Sequence, residues 1–316
     1  MKAPTLFLVL PCYNEEAVLS NSIQELTVLV TGMIDDGLIA DNSRILFVND
    51  GSKDGTWSII RQFHHDNPYV CGVNLAGNVG HQYAIMAGME TARQYADAVI
   101  TLDADIQDDI TKIPEMVQKY KEGCDIVYGV KNERKADSLF KRLTAKGFYF
   151  LMHGLGVKSI YNHADFRLLS KRALDQLSMY PERNLYLRGI IPLMGYKHDV
   201  IYEDLRQRKA GESKYTLKKM LNLAIDGITS FSTKPIRLLT IMGMVFVLIA
   251  FLMFLHIIVT LISGKAVAGW SSLMLSMWFI GGCIMIGLGI VGEYIGKIYI
   301  EVKQRPRYNI EMTLLK

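Results

Sequence analysis

The sequence lacks several features that would assign it to large classes of protein. Its four cysteines form no Cys-x-x-Cys pair and stand beside no histidine cluster, which argues against a zinc site and against a disulfide framework. A net charge of +4 over 316 residues argues against a nucleic-acid binder. The apolar run Leu6–Leu10 is too short for a signal peptide and has no small-residue cleavage site. We therefore expect a cytosolic N-terminal domain with reduced cysteines.

Charge is absent from two long windows near the C-terminal end. Leu238–Ile262 and Trp270–Gly292 contain no Lys, Arg, Asp or Glu, and each exceeds the roughly 20 residues that cross a bilayer core. The linker Ser263–Gly269 is short, so the two windows predict a helical hairpin. Lysines and arginines flank its outer ends, which predicts that both termini are cytosolic. The alternative, two buried core helices, fits less well because long core helices usually keep a polar face.

These windows divide the chain into three predicted parts: a catalytic domain at 1–232, two transmembrane helices within 233–300, and a cytosolic tail at 301–316. Before the first window, apolar strands alternate with amphipathic helices in a β-α-β-α order. Such an order predicts an α/β domain with a mostly parallel, Rossmann-like sheet covered by helices on both faces. The predicted strands are Thr5–Leu10, Ser43–Asn49, Val70–Leu75, Ala98–Leu102 and Asp125–Gly129. The predicted helices are Glu16–Met33, Gly55–His65, His81–Tyr95 and Ile113–Glu122.

Two further segments of the catalytic domain, at 138–155 and 215–231, mix lysine and arginine with aromatic and aliphatic residues. Amphipathic helices of this composition can lie in the headgroup layer of a membrane. The alternative is a pair of ordinary helices packed on the domain. We favour the interfacial placement because a membrane anchor follows directly.

Three polar clusters stand where predicted strands end. They are Tyr13-Asn14-Glu15, Asp50, and Asp103 with Asp105. Ligands of parallel sheets bind at the carboxyl ends of the strands, so these clusters predict a binding site. An alternative for Asp50 is simple turn chemistry, because Asp-Gly sequences favour turns.

The segment Asp103-Ala-Asp-Ile-Gln-Asp108 carries the sharpest chemical signal. Two carboxylates and an amide oxygen at a strand end are hard oxygen ligands, which suit Mg²⁺ or Mn²⁺. Such an ion can neutralise a diphosphate leaving group. The alternative is a solvated loop, since an isolated Asp-x-Asp is common by chance.

Together these motifs resemble the family 2, GT-A-fold glycosyltransferases. The resemblance rests on Pro11-Cys-Tyr-Asn-Glu15, Val48-Asn-Asp-Gly-Ser52 and the Asp103–Asp108 segment. It continues through Asn162–Arg167, Glu182–Gly189 and Arg208–Tyr215. These later motifs and the C-terminal hairpin narrow it to the polyprenyl-phosphate glycosyltransferases, among them bactoprenol glucosyltransferases and, more distantly, dolichol-phosphate mannose synthases. The chain departs from the pattern at Asn49, where many members carry Asp, and at Asp108-Asp109, where many carry Pro.

The resemblance implies roles for individual residues. The nucleotide-sugar pocket would hold Pro11, Tyr13, Glu15, Asp50, Asp103, Arg208 and Lys214. Asp105 and Gln107, with Asp103, would hold the metal. Arg208 and Lys214 would also act in catalysis by offsetting charge on the diphosphate. Asp165 matches the position usually named as catalytic base, but a lipid phosphate is already anionic near neutral pH because its second pKa lies near ~6. Asp165 could instead orient a sugar hydroxyl or pair with Arg167.

The acceptor phosphate needs cations close to the membrane. Arginine and lysine supply them at Lys131, Arg134, Lys141 and Arg142. The alternative for these residues is attraction to anionic lipid headgroups.

The resemblance thus implies an inverting transfer of one sugar from a UDP-sugar, UDP-glucose or UDP-N-acetylglucosamine, to undecaprenyl or another polyprenyl phosphate. The product would serve the modification of lipopolysaccharide or cell-wall glycans. The enzyme would be a multi-pass protein of the inner or plasma membrane, in contact with the lipid bilayer, with no nucleic-acid partner, and a homo-oligomer, with a tetramer expected. The alternatives are a processive polysaccharide synthase, which would carry a Gln-x-x-Arg-Trp motif that this sequence lacks, and a catalytically inactive scaffold.

Overall fold

A computed structural model of the chain describes residues 2–132, 163–203, 234–262 and 269–315. The described chain divides into two units. The first contains residues 2–132, 163–203 and 305–315, and the second contains 234–262 and 269–304.

The first unit is a layered α/β domain. Its strands are β1 (Leu6–Cys12), β2 (Arg44–Asn49), β3 (Val70–Leu75), β4 (Ala98–Thr101), β5 (Ile126–Lys131), β6 (His163–Ser170), β7 (His198–Glu203) and β8 (Ile310–Leu314). Its helices are α1 (Glu16–Asp35), α2 (Thr56–Asp66), α3 (His81–Ala92), α4 (Ile113–Lys121), α5 (Lys171–Ser178) and α6 (Leu187–Leu193), with a short 3₁₀ turn at Ile110–Lys112.

The strands form one sheet in the order β7-β5-β6-β4-β1-β2-β3-β8. The pairs β1·β2, β1·β4, β2·β3 and β5·β7 are parallel. β6 runs antiparallel to both β4 and β5, and β8 runs antiparallel to β3. Six strands therefore point the same way, and β6 begins at the edge of the sheet where those six end. The predicted mostly parallel sheet is confirmed.

Hydrophobic burial explains the central elements. All seven residues of β1 are buried, as expected for a parallel strand covered on both faces. On α1, buried side chains recur at helical spacing through Leu19, Ile23, Leu26 and Val30. Each fully buried side chain of this kind contributes about 1.5–3 kcal/mol. The core therefore forms between the sheet and the helical faces turned toward it.

The second unit consists of two helices, α7 (Lys234–Ile262) and α8 (Trp270–Lys303). The rings of Phe246 and Phe279 lie 5.8 Å apart, and a Cβ on Gly287 would lie 3.4 Å from Leu239. From Leu239 to Phe246 along α7, the partner on α8 changes from Gly287 back to Phe279, so the helices pack antiparallel. The structure thus forms the helical pair that the two apolar windows predict, and α8 extends beyond the second window to Lys303.

Two stretches of the described chain are long and apolar enough to cross a membrane: Glu16–Asp35 and Phe279–Lys303. The first is α1, whose apolar side chains belong to the core of the α/β domain. In the second, large apolar side chains such as Met285 and Leu288 are more than half exposed. Exposed apolar surface on this scale marks a face that meets lipid or protein. Phe279–Lys303 is therefore the candidate span.

The sequence predicted a tail at 301–316, whereas the structure places a strand of this segment in the sheet. β8 pairs with β3, and the Asn309 carbonyl accepts a hydrogen bond from the Ala76 amide at 2.9 Å. Arg307 pairs with Glu90 on α3 at 3.3 Å, and the Tyr308 hydroxyl donates to the same carboxylate. The segment after α8 therefore returns to the α/β domain as an edge strand. The predicted helices at 138–155 and 215–231 lie outside the described residues.

Candidate active site at the carboxyl edge of the sheet

The loops after β1 and β2 are joined to each other at the carboxyl edge. The Asn14 amide donates to Ser52 Oγ at 3.0 Å, the Lys53 amide donates to Asn14 Oδ1 at 2.9 Å, and the Glu15 amide donates to Thr56 Oγ1 at 2.9 Å. Pro11 is buried at the end of β1, whereas the Tyr13 side chain is 40% exposed. These contacts place Pro11, Tyr13 and Glu15 along one rim of the site, with the Tyr13 ring accessible to a ligand.

Asp50 holds the loop that leads into α3. Its Oδ1 accepts from the Val79 amide at 2.7 Å, and its Oδ2 accepts from the Gly80 amide and the Asn78 side chain, each at 3.0 Å. Burial raises the pKa of this carboxyl, and the two amide hydrogen bonds partly offset that effect. Asp50 therefore has a structural role at this edge, and its contact with a nucleotide stays a prediction.

Gly51 allows the loop after β2 to approach the loop that leads into α3. Its φ is +61°, and a Cβ at this position would lie 2.4 Å from the Asn78 amide nitrogen. Gly37 has a similar φ of +66°, but a Cβ there would meet nothing within 4 Å. Substituting the two glycines therefore distinguishes the cost of a left-handed backbone, which both positions share, from the cost of a steric clash, which only Gly51 would meet.

Gly51→Ala should lower the melting temperature far more than Gly37→Ala. The Gly37 variant should lose about 1–2 kcal/mol from its left-handed backbone alone. The Gly51 variant must also move the backbone that Asp50 holds. Thermal unfolding in detergent checks this expectation. Equal effects of the two substitutions would contradict the close approach.

The segment Asp103–Asp109 forms the middle of the site, directly after β4. Gln107 Nε2 donates to the Asp105 carboxylate, so these two predicted metal ligands lie together. Ile106 has a φ of +47°, a left-handed conformation that β-branched residues rarely adopt. The segment is thus held in a sharp, strained turn that brings polar side chains to the edge of the sheet. We refer to Asp103–Asp109 as the metal turn.

The donor atoms of this turn fit a hard divalent cation. Asp105 offers carboxylate oxygens, Gln107 an amide oxygen, and Asp103 a second carboxylate at the same strand end. Within the described residues, no group of three or more His, Cys, Asp or Glu side chains is arranged to hold a metal by itself. Mg²⁺ is commonly bound by one or two carboxylates together with substrate phosphates and water, so this ligand set is sufficient when a diphosphate is present.

Asp165 lies at the start of β6, across from this turn. Its Oδ2 accepts from Arg188 at 3.0 Å and lies 3.3 Å from His81 Nε2, and its Oδ1 accepts from Arg167. Desolvation alone would raise the pKa of Asp165, but Arg188 and Arg167 outweigh it and hold that pKa well below its usual range. Asp165 is therefore a permanent anion, paired with Arg167 as the sequence allowed.

His81 connects Asp165 to the metal turn. Its Nε2 lies 3.3 Å from Asp165 Oδ2 and 3.6 Å from Asp103 Oδ1. Desolvation lowers the pKa of His81, but the hydrogen bond to Asp165 and the charge of Asp103 raise it overall. Desolvation and the nearby Asp108 carboxylate raise the pKa of Asp103 to about 6. The first turn of α3 thus places an imidazole between two carboxylates.

A buried cluster of charged residues lies beside the metal turn, at the ends of β5 and β7. Lys131 Nζ is 3.3 Å from Asp108 Oδ1, and Glu203 Oε2 accepts from the Asp109 amide at 2.9 Å. Desolvation and the Asp108 charge raise the pKa of Glu203 to about 7. We refer to these three residues, Asp108, Lys131 and Glu203, as the charged cluster. Lys131 was predicted to bind the acceptor phosphate, and the structure pairs it with Asp108.

Five of the predicted site residues lie outside the described part of the chain. They are Arg134, Lys141, Arg142, Arg208 and Lys214. Their roles stay predictions.

Sequence reasoning missed two residues of the site. His81 stands alone in the sequence, and only the meeting of α3 with β6 places it against Asp165. Glu203 ends an amphipathic strand that was not predicted. A carboxylate at the end of a parallel strand indicates a site residue. The sequence does not show that β7 is such a strand, because β7 pairs with β5, which lies far away in sequence.

The chain is similar to several known proteins. A family model described as Glycosyl transferase family 2 matches residues 7–178. An uncharacterized glycosyltransferase, YkoT of Bacillus subtilis, is 50% identical over 98% of this chain and 92% of its own. A SfII prophage-derived bactoprenol glucosyl transferase of Shigella flexneri is 40% identical over 97% of each chain. Among solved structures, a mannosyltransferase from Pyrobaculum calidifontis in complex with GDP-Man and Mn²⁺ is 17% identical, with a TM-score of 0.45 over 66% of this chain and 59% of that one.

Proposed function

Because this chain belongs to glycosyl transferase family 2, we propose that it transfers one glucosyl residue from UDP-glucose to a polyprenyl phosphate such as undecaprenyl phosphate. The observation that carries this proposal is the likeness, over 97% of the chain, to an enzyme named for bactoprenol glucosyl transfer. The likeness extends beyond the family 2 region into the C-terminal helices. UDP-N-acetylglucosamine is the second candidate donor, because nucleotide-side residues do not read the sugar.

The donor would occupy the carboxyl edge of the sheet. Its nucleotide would lie along the rim formed by Pro11, Tyr13 and Glu15, where the Tyr13 ring is exposed. Asp105 and Gln107, with Asp103, would hold a Mg²⁺ or Mn²⁺ ion, which would offset the charge of the leaving diphosphate. Arg208 and Lys214 would add positive charge on the same side. The donor phosphates would therefore lie near the metal turn, between β4 and the 3₁₀ turn.

Asp165 would act as a fixed charge in this reaction. A carboxylate that two arginines hold ionised is a weak base, and the acceptor phosphate is already anionic at neutral pH. Arg188 and His81 both face Asp165, so the anion fixes the positions of two hydrogen-bonding groups, of which His81 also lies 3.6 Å from Asp103. Preorganised charges of this kind stabilise the charge that develops in a transition state.

The transfer would invert the anomeric configuration. The phosphate oxygen of the acceptor would form the new bond to the anomeric carbon while the bond to the UDP oxygen breaks on the opposite side. UDP would carry away the electron pair of the broken bond. The product would be a β-linked polyprenyl monophosphosugar, which could be used in lipopolysaccharide or cell-wall glycan modification.

The strands that precede and follow the helical pair support a two-span membrane anchor. The chain leaves the sheet after β7 and returns to the same sheet at β8. One domain cannot stand on both sides of a bilayer, so residues between these strands must cross it an even number of times. If Phe279–Lys303 crosses, a second crossing is required, and α7 supplies a 29-residue helix for it. The positive-inside rule then places the α/β domain and both termini in the cytosol.

The assay for this proposal measures the transfer of radiolabelled sugars to undecaprenyl phosphate by the purified protein in detergent. The donors are UDP-glucose, UDP-N-acetylglucosamine and GDP-mannose, each with Mg²⁺, with Mn²⁺ or with EDTA. We expect a metal-dependent lipid product from UDP-glucose. A product from UDP-N-acetylglucosamine alone would replace the sugar and keep the reaction class. No lipid product from any donor with folded protein would refute the proposal and favour the scaffold alternative.

A further inference from the structure

The charged cluster takes no part in the proposed reaction, although burial of its charged groups lowers the stability of the fold. Glu203 is fully buried and Asp108 is 1% exposed, and Lys131 pairs with Asp108 at 3.3 Å. One Glu203 oxygen accepts from the Asp109 amide, and the other has no hydrogen-bond partner among the residues that the structure describes. Charged groups taken out of water destabilise a fold unless their arrangement is well compensated. A cluster of this kind at the edge of an active site therefore calls for a positional role.

The metal turn is fixed at both of its ends. At one end, Ser22 Oγ on α1 donates to the Ala104 carbonyl at 2.7 Å. At the other, Glu203 on β7 holds the Asp109 amide. Between them lies Ile106 with its left-handed φ, and strained residues of this kind persist only where neighbouring structure holds them. The turn therefore depends on its anchors for its shape.

The Glu203 anchor needs an amide hydrogen at position 109. Asp109 supplies it, whereas a proline there would have no amide hydrogen and could not donate to Glu203. The Asp108–Lys131 pair lies one residue before this contact and ties the same stretch of chain to the end of β5. Both contacts thus fix the last residues of the metal turn.

We infer that Glu203 and Lys131 are positioning residues, which hold the Asp103–Asp109 turn in the conformation that receives the metal–diphosphate group of the donor. The inference rests on the proposed function for the identity of that donor. Glu203 acts through the Asp109 amide, and Lys131 acts through Asp108. Lys131 thereby serves the donor side of the reaction and not the acceptor phosphate.

The first test needs no ligand. Glu203→Ala removes the acceptor of the Asp109 amide, whereas Glu203→Gln keeps an acceptor oxygen of similar reach. Tyr202→Ala, on the same strand but 63% exposed, serves as the control. Hydrogen–deuterium exchange of the full-length protein in detergent should show faster exchange of the peptide covering 103–112 in Glu203→Ala only. Unchanged exchange in Glu203→Ala, in a protein that remains folded, would overturn the role of Glu203.

The second test measures affinity for the donor and for the metal. Outer contacts of metal ligands typically change metal affinity or activity by 10- to 100-fold, so Glu203→Ala should weaken Mn²⁺-dependent UDP-glucose binding by roughly 10-fold or more. Glu203→Gln should restore binding, and the KM for undecaprenyl phosphate should stay at its wild-type value in both. A proportional change in donor and acceptor constants, or an equal loss in Glu203→Gln, would overturn the proposal.

Lys131→Met separates the two roles of that residue. A higher KM for UDP-glucose with an unchanged KM for undecaprenyl phosphate supports the positioning role. The reverse pattern would assign Lys131 to the acceptor and overturn this part of the inference. If the wild-type protein makes no lipid product from any donor, the proposed function fails, while hydrogen exchange still decides whether Glu203 holds the turn.

Discussion

Replacing Asp165 with asparagine should lower kcat by about 10²–10³-fold, the usual effect of removing one preorganised charge from an active site. The donor constant should stay near its wild-type value, because Asp165 faces Arg188, Arg167 and His81 and not the nucleotide rim. Steady-state kinetics with UDP-glucose and undecaprenyl phosphate measure both constants. Near-normal turnover in the variant would remove Asp165 from the catalytic residues.

Stability must be followed in the same variant. Breaking a buried ion pair typically costs about 3–5 kcal/mol, because the remaining charges lose their partner. The assay therefore belongs at a temperature well below the melting temperature of the variant. Asp175→Asn is the matched control, since its carboxylate pairs with Arg93 at 3.1 Å on the surface. It should leave both kcat and the melting temperature nearly unchanged.

The pH dependence of the reaction distinguishes a fixed charge from a base. Arg188 and Arg167 hold the pKa of Asp165 well below its usual range, although desolvation opposes them. Asp165 therefore stays ionised on mild acidification, and its titration cannot cause a loss of activity there. Asp103 has a pKa of about 6, raised by desolvation and by Asp108, so activity in limiting metal should fall as the pH drops through about 6. The Asp165→Asn variant should still show an acidic limb, although its midpoint should move because the Asp165 charge contributes to the raised pKa of Asp103.

Asp105→Asn should reduce kcat/KM by about 10³-fold, because charge stabilisation by a bound metal contributes several kcal/mol to the transition state. The variant retains the shape of the side chain and its contact with Gln107 but loses its charge. The metal concentration that gives half-maximal rate should rise strongly, and Mn²⁺ binding followed by electron paramagnetic resonance should weaken in parallel.

Two comparisons control this second experiment. Asp66→Asn removes an exposed carboxylate far along the chain from the metal turn and should leave the rate unchanged. Removal of metal from the wild-type protein with EDTA should reproduce the loss seen in Asp105→Asn. Full activity of Asp105→Asn at low metal concentration would show that Asp105 is not a metal ligand.

The sequence predicted the core of the fold because that core follows local patterns. β1 to β5 are short and mostly apolar runs, and α1 to α4 carry helical spacing, so each element is recognisable by itself. The parallel order followed from their alternation. The candidate site was predictable to the same extent, since Asp50, Asp103 and Asp105 directly follow strands whose ends must meet at one edge.

The remaining elements depend on contacts between residues distant in sequence. β6 is antiparallel within a mostly parallel sheet, and its motif residue Asp165 was recognised without the strand that carries it. β8 pairs with β3 more than 200 residues earlier, which no local pattern indicates. His81 and Glu203 gain their importance only from partners far away in the sequence, Asp165 and Asp109. Asp108-Asp109 departs from the family pattern, and only the folded sheet brings Lys131 and Glu203 to these two residues.

The central claim, transfer of a single sugar to a lipid phosphate, is tested most directly by mass spectrometry of the lipid product. The purified full-length protein is incubated with undecaprenyl phosphate, Mg²⁺ and excess UDP-glucose until the reaction stops, and released UDP is measured in parallel. We predict one hexose on each modified lipid and one UDP released for each hexose transferred. Lipids that carry chains of several sugars, or UDP released without a lipid product, would contradict the account.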